Sequence, residues 1–254
     1  MNNTTRILPL CLLLISSQGT SAGMPDLETK VYAKDVYSAG DNPYKVKRFA
    51  PKYYIDHAKH FVESFTTHPK APIWTFTPAN AFATIHVIDA PDGLILIDTG
   101  LNEEQVEPVA AKIKTLSKKP IKAVIYTHPH ADHTGGVAAF ISQKQVDSGE
   151  VEVIADANFM TAYVSENSAT GPIMGQRATF MYGAALQPAD KEQYRTGCCG
   201  YMTAGTASFI APTYITNEDT ETRKVLGLEL VFTHTGGENA GHVIIYSPKY
   251  KTVF

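Results

Sequence analysis

Apolar and polar positions begin to alternate regularly in this chain after about residue 74. Residues 82–88 alternate apolar with small or polar side chains, and residues 94–97 form a short apolar run. A period of two is typical of β-strands. Pro91 and Gly93 lie between the two runs, where a tight reversal favours such residues. The pattern therefore predicts a hairpin of two strands.

The following segment changes to helical spacing. Within residues 103–116, the apolar side chains recur three or four positions apart, at Val106, Val109, Ile113 and Leu116, which is typical of an amphipathic helix. Pro120 ends this helix, and the apolar residues 121–126 return as a strand. Strand, helix and strand in this order predict a βαβ unit. Open sheets of this kind place their sites beyond the carboxyl ends of the strands.

The strongest chemical signal follows that strand directly. Residues 127–136 read T-H-P-H-A-D-H-T-G-G. Residues two apart in an extended chain share a face, so His128 and His130 can bind one cation. Asp132 and His133 lie one step further along and can bind a second cation. Imidazole nitrogen combined with carboxylate oxygen suits zinc or another borderline transition metal.

Two features beside the cluster bear on its geometry. Gly135 and Gly136 predict a tight turn into a helix that begins near Val137. Asp98 ends the second strand of the predicted hairpin. Its carboxylate is expected either to orient the free ring nitrogen of a histidine ligand or to cap a turn or helix, and the sequence favours neither.

The first 22 residues have the pattern of a signal peptide. Arg6 is followed by the apolar run 7–15, and residues 20–22, T-S-A, suit cleavage after Ala22. The run is too short to span a membrane permanently, and no later segment is long and apolar enough to do so. We therefore expect a periplasmic or secreted protein without an integral membrane segment. Residues 23–70, rich in tyrosine and proline, predict an N-terminal arm.

Composition narrows the classes of partner. The net charge is only −3, and no basic stripe is visible, which argues against a nucleic-acid partner. Removing the leader leaves about 230 residues. Hydrophobic residues make up 44% of the whole chain, which is enough to supply a sizeable core. Of three cysteines, Cys198 and Cys199 remain after cleavage. A strained disulfide between these neighbours, two free thiols and a weaker metal-binding role all stay open.

The motifs above resemble those of a known family. T-H-P-H-A-D-H-T-G-G is similar to the H-x-H-x-D-H signature of the metallo-β-lactamase superfamily, preceded about thirty residues earlier by L-I-D-T-G. Softer strings resemble the class III alkylsulfatase branch, namely V-S-E-N at 164–167, R-A-T-F-M-Y-G at 177–183, I-A-P-T at 210–213 and the strand at 227–232. The resemblance implies an α/β (α+β) fold, an αββα sandwich over residues 71–254, with two Zn²⁺ ions per complete site.

The resemblance also implies a ligand near the end of the chain. Most superfamily members have a T-P-G-H turn there, whereas this chain has T-G-G-E, which puts Glu238 in the ligand position as in alkylsulfatases. His242 is a competing candidate for this ligand position. Its side chain is expected to bind the metal, to hold Glu238 or to pack in the sheet. Branch members continue to a bridging acidic residue and a last histidine, which this sequence does not contain. We therefore expect a partial domain, incomplete at its C-terminal end.

The expected chemistry is hydrolysis at the metal site, with Asp132 among the catalytic residues. Two neighbouring cations lower the pKa of a shared water, and the resemblance implies that a metal-bound hydroxide cleaves alkyl sulfate esters to an alcohol and inorganic sulfate. The implied partner is a small amphiphilic ester, with a homodimer in the full-length form. Residues 159–182 either line an alkyl groove or pack as a helix pair, and Asn167 and Arg177 are candidates for the substrate's anionic end. The alternatives are a hydrolase of lactones, thioesters or β-lactams, and a non-catalytic metal-binding fragment.

Overall fold

The computed structural model describes residues 63–79, 81–181, 205–216 and 219–254. The predicted signal peptide, most of the predicted arm and the Cys198-Cys199 pair lie outside these residues. Within them, no helix has the length and the apolar character needed to cross a membrane.

The larger sheet has seven strands in sequence order. They are β1 (Ser64–Thr67), β2 (Ile73–Thr77), β3 (Ile85–Ala90), β4 (Gly93–Ile97), β5 (Ile121–Ile125), β6 (Glu152–Asp156) and β7 (Tyr214–Thr216). Pairing is antiparallel from β1 to β4 and parallel from β4 to β7. The described end of the predicted arm thus contains β1, an edge strand of this sheet.

A second sheet of four antiparallel strands follows in the chain. Its strands are β8 (Thr220–Val225), β9 (Leu228–His234), β10 (Val243–Ser247) and β11 (Thr252–Val253). The α-helices are α1 (Glu103–Leu116), α2 (Ala131–Thr134), α3 (Gln143–Asp147), α4 (Phe159–Val164) and α5 (Gly171–Met181). A 3₁₀ turn (Val137–Ala139) follows α2, and a π-helical segment (Ser165–Ala169) joins α4 to α5.

The predicted hairpin and βαβ unit are confirmed. β3 pairs with β4 in antiparallel fashion, although β3 begins at Ile85, later than the alternation indicated. The helix α1 spans the predicted residues, and the side chain of its N-cap Asn102 accepts a hydrogen bond from the backbone NH of Gln105. α1 then returns the chain to β5, which lies parallel to β4.

The helix predicted to begin near Val137 is present as a short 3₁₀ helix. The helix α2 begins earlier, at Ala131, and only a 3₁₀ turn occupies Val137–Ala139. The two glycines between them serve a close backbone approach. A Cβ atom at Gly135 would lie 2.0 Å from the carbonyl oxygen of Leu101, and one at Gly136 would lie 2.4 Å from that of Thr99. The histidine-rich loop therefore packs directly on the loop that follows β4.

The two faces of the larger sheet contribute to separate cores. In β4, Leu94 and Leu96 pack with the helices, whereas Ile95 and Ile97 pack between the two sheets. This alternation within a fully buried strand gives three stacked layers of helices, sheet and sheet. The mixed α/β class expected from the sequence is confirmed. On the outer face of the second sheet, the apolar side chains Ile244 and Tyr246 are exposed.

The parallel strands place the candidate site. Asp98 follows β4, Thr127 lies just beyond β5, and Asp156 ends β6. These three residues stand at the same edge of the sheet because β4, β5 and β6 run in parallel.

Candidate metal centre

The chain that leaves β5 is anchored before it reaches the histidines. Tyr126 is fully buried, and its hydroxyl donates a hydrogen bond to the carbonyl oxygen of Ile210 at 3.2 Å. Its ring stacks on Phe159, the first residue of α4, with the centroids 5.4 Å apart. The histidine-rich loop therefore begins from a rigid point.

Three predicted ligands converge at this edge of the sheet. His128 Nε2 lies 3.1 Å from His130 Nδ1 and 3.3 Å from Glu238 Oε2. His130 Nδ1 lies 3.6 Å from Glu238 Oε1. The donor atoms of these residues all lie within 4.8 Å of one another, as the ligands of one metal ion would. Two imidazoles and one carboxylate match a common ligand set for a catalytic transition metal.

The protonation of His128 suits metal binding. Burial and the neighbouring His133, His130 and His242 lower the pKa of His128 to about 2. The ring is therefore neutral at pH 7, which is the form that binds a metal. Glu238 differs from His128 in exposure: its side chain is 61% accessible, against 3% for His128. The cluster thus opens to solvent on the side of the carboxylate.

A second group of predicted ligands lies beside the first. The Nε2 atom of His133 is 3.5 Å from Oδ2 of Asp132, and the rings of His128 and His133 are 4.0 Å apart between centroids. Burial alone would lower the pKa of His133, but the charge and hydrogen bond of Asp98, with smaller effects of Asp132 and Glu238, raise it to about 9. The structure thus brings all four side chains of the motif together.

Asp98 contacts both the loop and a predicted ligand. Its carboxylate accepts hydrogen bonds from the backbone NH and the hydroxyl of Thr127, each at 2.8 Å, and Oδ2 lies 2.7 Å from His133 Nδ1. Asp98 is buried and has a φ of 59°. A left-handed conformation is uncommon for a residue other than glycine, although Asp adopts it more readily than most, and such conformations often occur at functional sites.

His242, which directly precedes β10 of the second sheet, contacts two of the predicted ligands. The backbone NH of Glu238 donates to His242 Nδ1 at 3.0 Å, and the His242 ring stacks on His128 with the centroids 4.9 Å apart. Among the three alternatives for His242, this geometry favours holding the segment that carries Glu238.

A cavity with a volume of about 290 Å³ opens beside the cluster. His130, Asp132 and Glu238 contribute polar surface to its lining, and residues of α5 and of the π-helical segment also line it. Leu101 and Met174 contribute apolar surface. Asn167 and Arg177, the candidates for an anionic substrate group, also line the cavity.

Sequence reasoning missed two polar contacts at this edge. Glu166 Oε2 lies 3.2 Å from His130 Nε2, and the buried Asp156 holds His234 through a 2.9 Å contact between Oδ2 and Nδ1. Glu166 belongs to the V-S-E-N string, but no spacing relates it to a histidine about 36 positions away.

A comparison with models of protein families identifies the family of the chain. The model of the metallo-β-lactamase superfamily matches residues 80–254. The chain belongs to this superfamily. Superfamily membership accounts for the two stacked sheets and for the cluster of metal-binding side chains at their edge.

Relatives with curated descriptions narrow the similarity within the superfamily. The chain is 38% identical over 162 residues to a linear primary-alkylsulfatase of Pseudomonas sp., which covers 64% of this chain and 30% of that enzyme. It is 35% identical over 169 residues to an alkyl/aryl-sulfatase of Saccharomyces cerevisiae, covering 66% of this chain and 26% of that enzyme. The chain thus spans about a third of the length of these relatives or less.

A solved structure extends the similarity to the fold. The stereoselective inverting sec-alkylsulfatase of Pseudomonas sp. aligns with a TM-score of 0.68 and 26% sequence identity. The alignment covers 90% of this chain and 35% of that enzyme. The resemblance to the alkylsulfatase branch that the sequence motifs indicated is therefore confirmed.

Proposed function

We propose that the protein is a metal-dependent hydrolase that cleaves alkyl sulfate esters to an alcohol and inorganic sulfate. The observation that carries this proposal is the convergence of His128, His130 and Glu238, of which His130 and Glu238 line a partly apolar cavity. The alkylsulfatase relatives supply the chemical class of the substrate.

The proposed cofactor is zinc, with two ions in the complete site. His128, His130 and Glu238 would hold the first ion, and Asp132 and His133 would contribute to the second. Two bound zinc ions would acidify a shared water and stabilise negative charge that develops on the ester. The neutral His128 and the mixed nitrogen and oxygen donors support the binding of the first ion.

The chain's own residues would position the two ends of the substrate. Arg177 lies on the exposed surface of α5 and lines the cavity, where its guanidinium can pair with sulfate oxygens. Leu101 and Met174 offer apolar surface for the alkyl chain. Asn167 borders the same space and offers a polar contact to the anionic end.

Metal counting and product release test the proposal together. We expect the purified protein to bind zinc and to release sulfate from hexyl sulfate, a substrate short enough to avoid detergent denaturation. H130A should lose both properties, whereas E107Q, which changes an exposed residue of α1, should keep them. Zinc binding without sulfate release would favour a metal-binding fragment without activity. Turnover of a lactone, thioester or β-lactam instead would favour another hydrolase of this fold.

Export and assembly are part of the same proposal. We propose that residues 1–22 direct export to the periplasm or beyond, and that the full-length form is a homodimer. Sequencing the N-terminus of the exported protein would test the first point, because cleavage after Ala22 leaves Gly23 first. Light scattering on the full-length form would test the second.

A further inference from the structure

The ring of His130 lies between two carboxylates. Its Nδ1 atom is 3.6 Å from Oε1 of Glu238, and its Nε2 atom is 3.2 Å from Oε2 of Glu166. The Nδ1 atom also lies 3.1 Å from His128 Nε2. One nitrogen therefore faces the candidate metal position, and the other faces Glu166.

We propose that Glu166 is a positioning residue for His130. The Nε2–H group of His130 donates a hydrogen bond to Glu166. This leaves the lone pair of Nδ1 free to bind the metal and fixes the plane of the ring. A hydrogen-bond acceptor behind a histidine ligand fixes the tautomer and the orientation of the ring. This inference rests on the proposed function, because it requires His130 to be a metal ligand.

Local structure holds Glu166 in place. Its π-helical segment begins where α4 ends, and the Asn167 side chain in that segment donates to the carbonyl oxygen of Tyr163 at 2.7 Å. The Tyr163 ring packs on Phe209 with the centroids 4.2 Å apart. Single turns of π-helix are found frequently at functional sites, where the wider turn redirects a side chain.

The exposure of the pair favours a hydrogen bond that persists in solution. The side chains of His130 and Glu166 are each 32% accessible, so both are partly shielded from water. Glu166 is outside the group of three donors that lie within 4.8 Å of one another among the described residues. Its position behind the ring thus fits an acceptor for His130 better than a direct ligand.

Glu166 also joins the metal centre to the substrate cavity. The carboxylate lines the cavity together with Met174 and Arg177 of α5. A change in the position of the π-helical segment would therefore move the acceptor of His130 and the cavity wall together. Metal affinity is the property that reports this connection directly.

Two substitutions separate hydrogen bonding from charge. E166M keeps the length of the side chain and removes the acceptor, whereas E166Q removes the charge and keeps an acceptor oxygen. Zinc affinity would be measured on the full chain by competition with a chromophoric chelator. We expect E166M to weaken zinc binding by about 10- to 100-fold, E166Q by no more than about 3-fold, and the control E107Q not at all. The Co²⁺ absorption spectrum should shift in E166M alone.

The outcomes distinguish this inference from the proposed function. If H130A binds zinc as tightly as the parent chain, the metal assignment itself fails. If H130A loses zinc and E166M does not, only the positioning role of Glu166 is overturned. Equal weakening in E166M and E166Q would also overturn it, because charge rather than hydrogen bonding would then be responsible. Thermal unfolding of the metal-free variants shows whether each remains folded. If E166M does not, E166A replaces it: a shifted Co²⁺ spectrum in E166A and not in E166Q supports the positioning role, and an unshifted spectrum in E166A overturns it.

Discussion

Asp98 and His133 are 35 positions apart in the chain, yet Oδ2 of the first lies 2.7 Å from Nδ1 of the second. The contact joins the loop after β4 to the histidine-rich loop after β5. Asp98 also accepts both hydrogen bonds from Thr127. One buried carboxylate thus holds the start of the loop and one of its predicted ligands.

The first prediction concerns the charge of Asp98. In D98N, the pKa of His133 should fall from about 9, because Asp98 is the main group that raises it. Because folding raises the pKa of His133, the protonated ring stabilises the fold fully at a pH below the pKa of the unfolded chain, about 6.5. This stabilisation disappears as the pH rises through the pKa of the folded chain. For the metal-free chain, we expect D98N to lose on the order of 2 to 3 kcal/mol more at pH 5.5 than at pH 9.5. Urea unfolding at the two pH values measures this difference, and an equal loss at both would contradict it.

The second prediction separates Glu238 from His242. E238A should lower zinc affinity by about 100-fold or more, because it removes a proposed ligand. H242A should lower the affinity by only about 10-fold, because it removes the acceptor of the Glu238 backbone NH and leaves the donor set intact. Chelator competition on both variants provides the measurement. A larger effect of H242A than of E238A would assign the ligand role to His242 instead.

The third prediction concerns the contact between the two loops. A Cβ atom at Gly135 would lie 2.0 Å from the backbone oxygen of Leu101, which cannot move without disturbing the loop after β4. We expect G135A to destabilise the fold by about 3 kcal/mol or more, with loss of zinc binding. G149A is the matched control. Nothing lies within 4 Å of a Cβ atom at Gly149, whose positive φ alone should cost about 1 kcal/mol. Chemical denaturation would contradict the prediction if both variants lost the same stability.

The fourth prediction concerns the anionic end of the substrate. R177A should raise KM for hexyl sulfate by about 10-fold, the loss expected for one charge-assisted hydrogen bond. Zinc content should not change, because Arg177 lines the cavity without belonging to the donor cluster. R223A serves as the control, since Arg223 pairs with Glu152 instead. Steady-state kinetics would refute the role of Arg177 if both variants had the parental KM.

Local patterns were sufficient to predict much of the fold. The helix at residues 103–116, the hairpin before it and the strand after it follow from apolar periodicity, which depends only on neighbouring residues. The density of histidine and aspartate in residues 127–136 likewise indicated a metal site without any distant contact. The spacing of the glycines predicted a turn, but it did not reveal the backbone approach that requires them.

By itself, the sequence determined the hairpin, the βαβ unit and the candidate ligands of the histidine-rich loop, because periodicity and ligand density are recorded locally. Only the tertiary structure decided which distant side chains complete the arrangement. The family resemblance put Glu238 in a ligand position, but only the structure shows that it reaches His128 from beyond β9. Glu166, which no motif indicated as a partner of a histidine, reaches His130 from a π-helical segment. Such contacts depend on the parallel order of the strands and on the packing of the layers, and no short stretch of sequence encodes either of these. The same reason explains why Asp98 had two open roles until its distances to Thr127 and His133 were known.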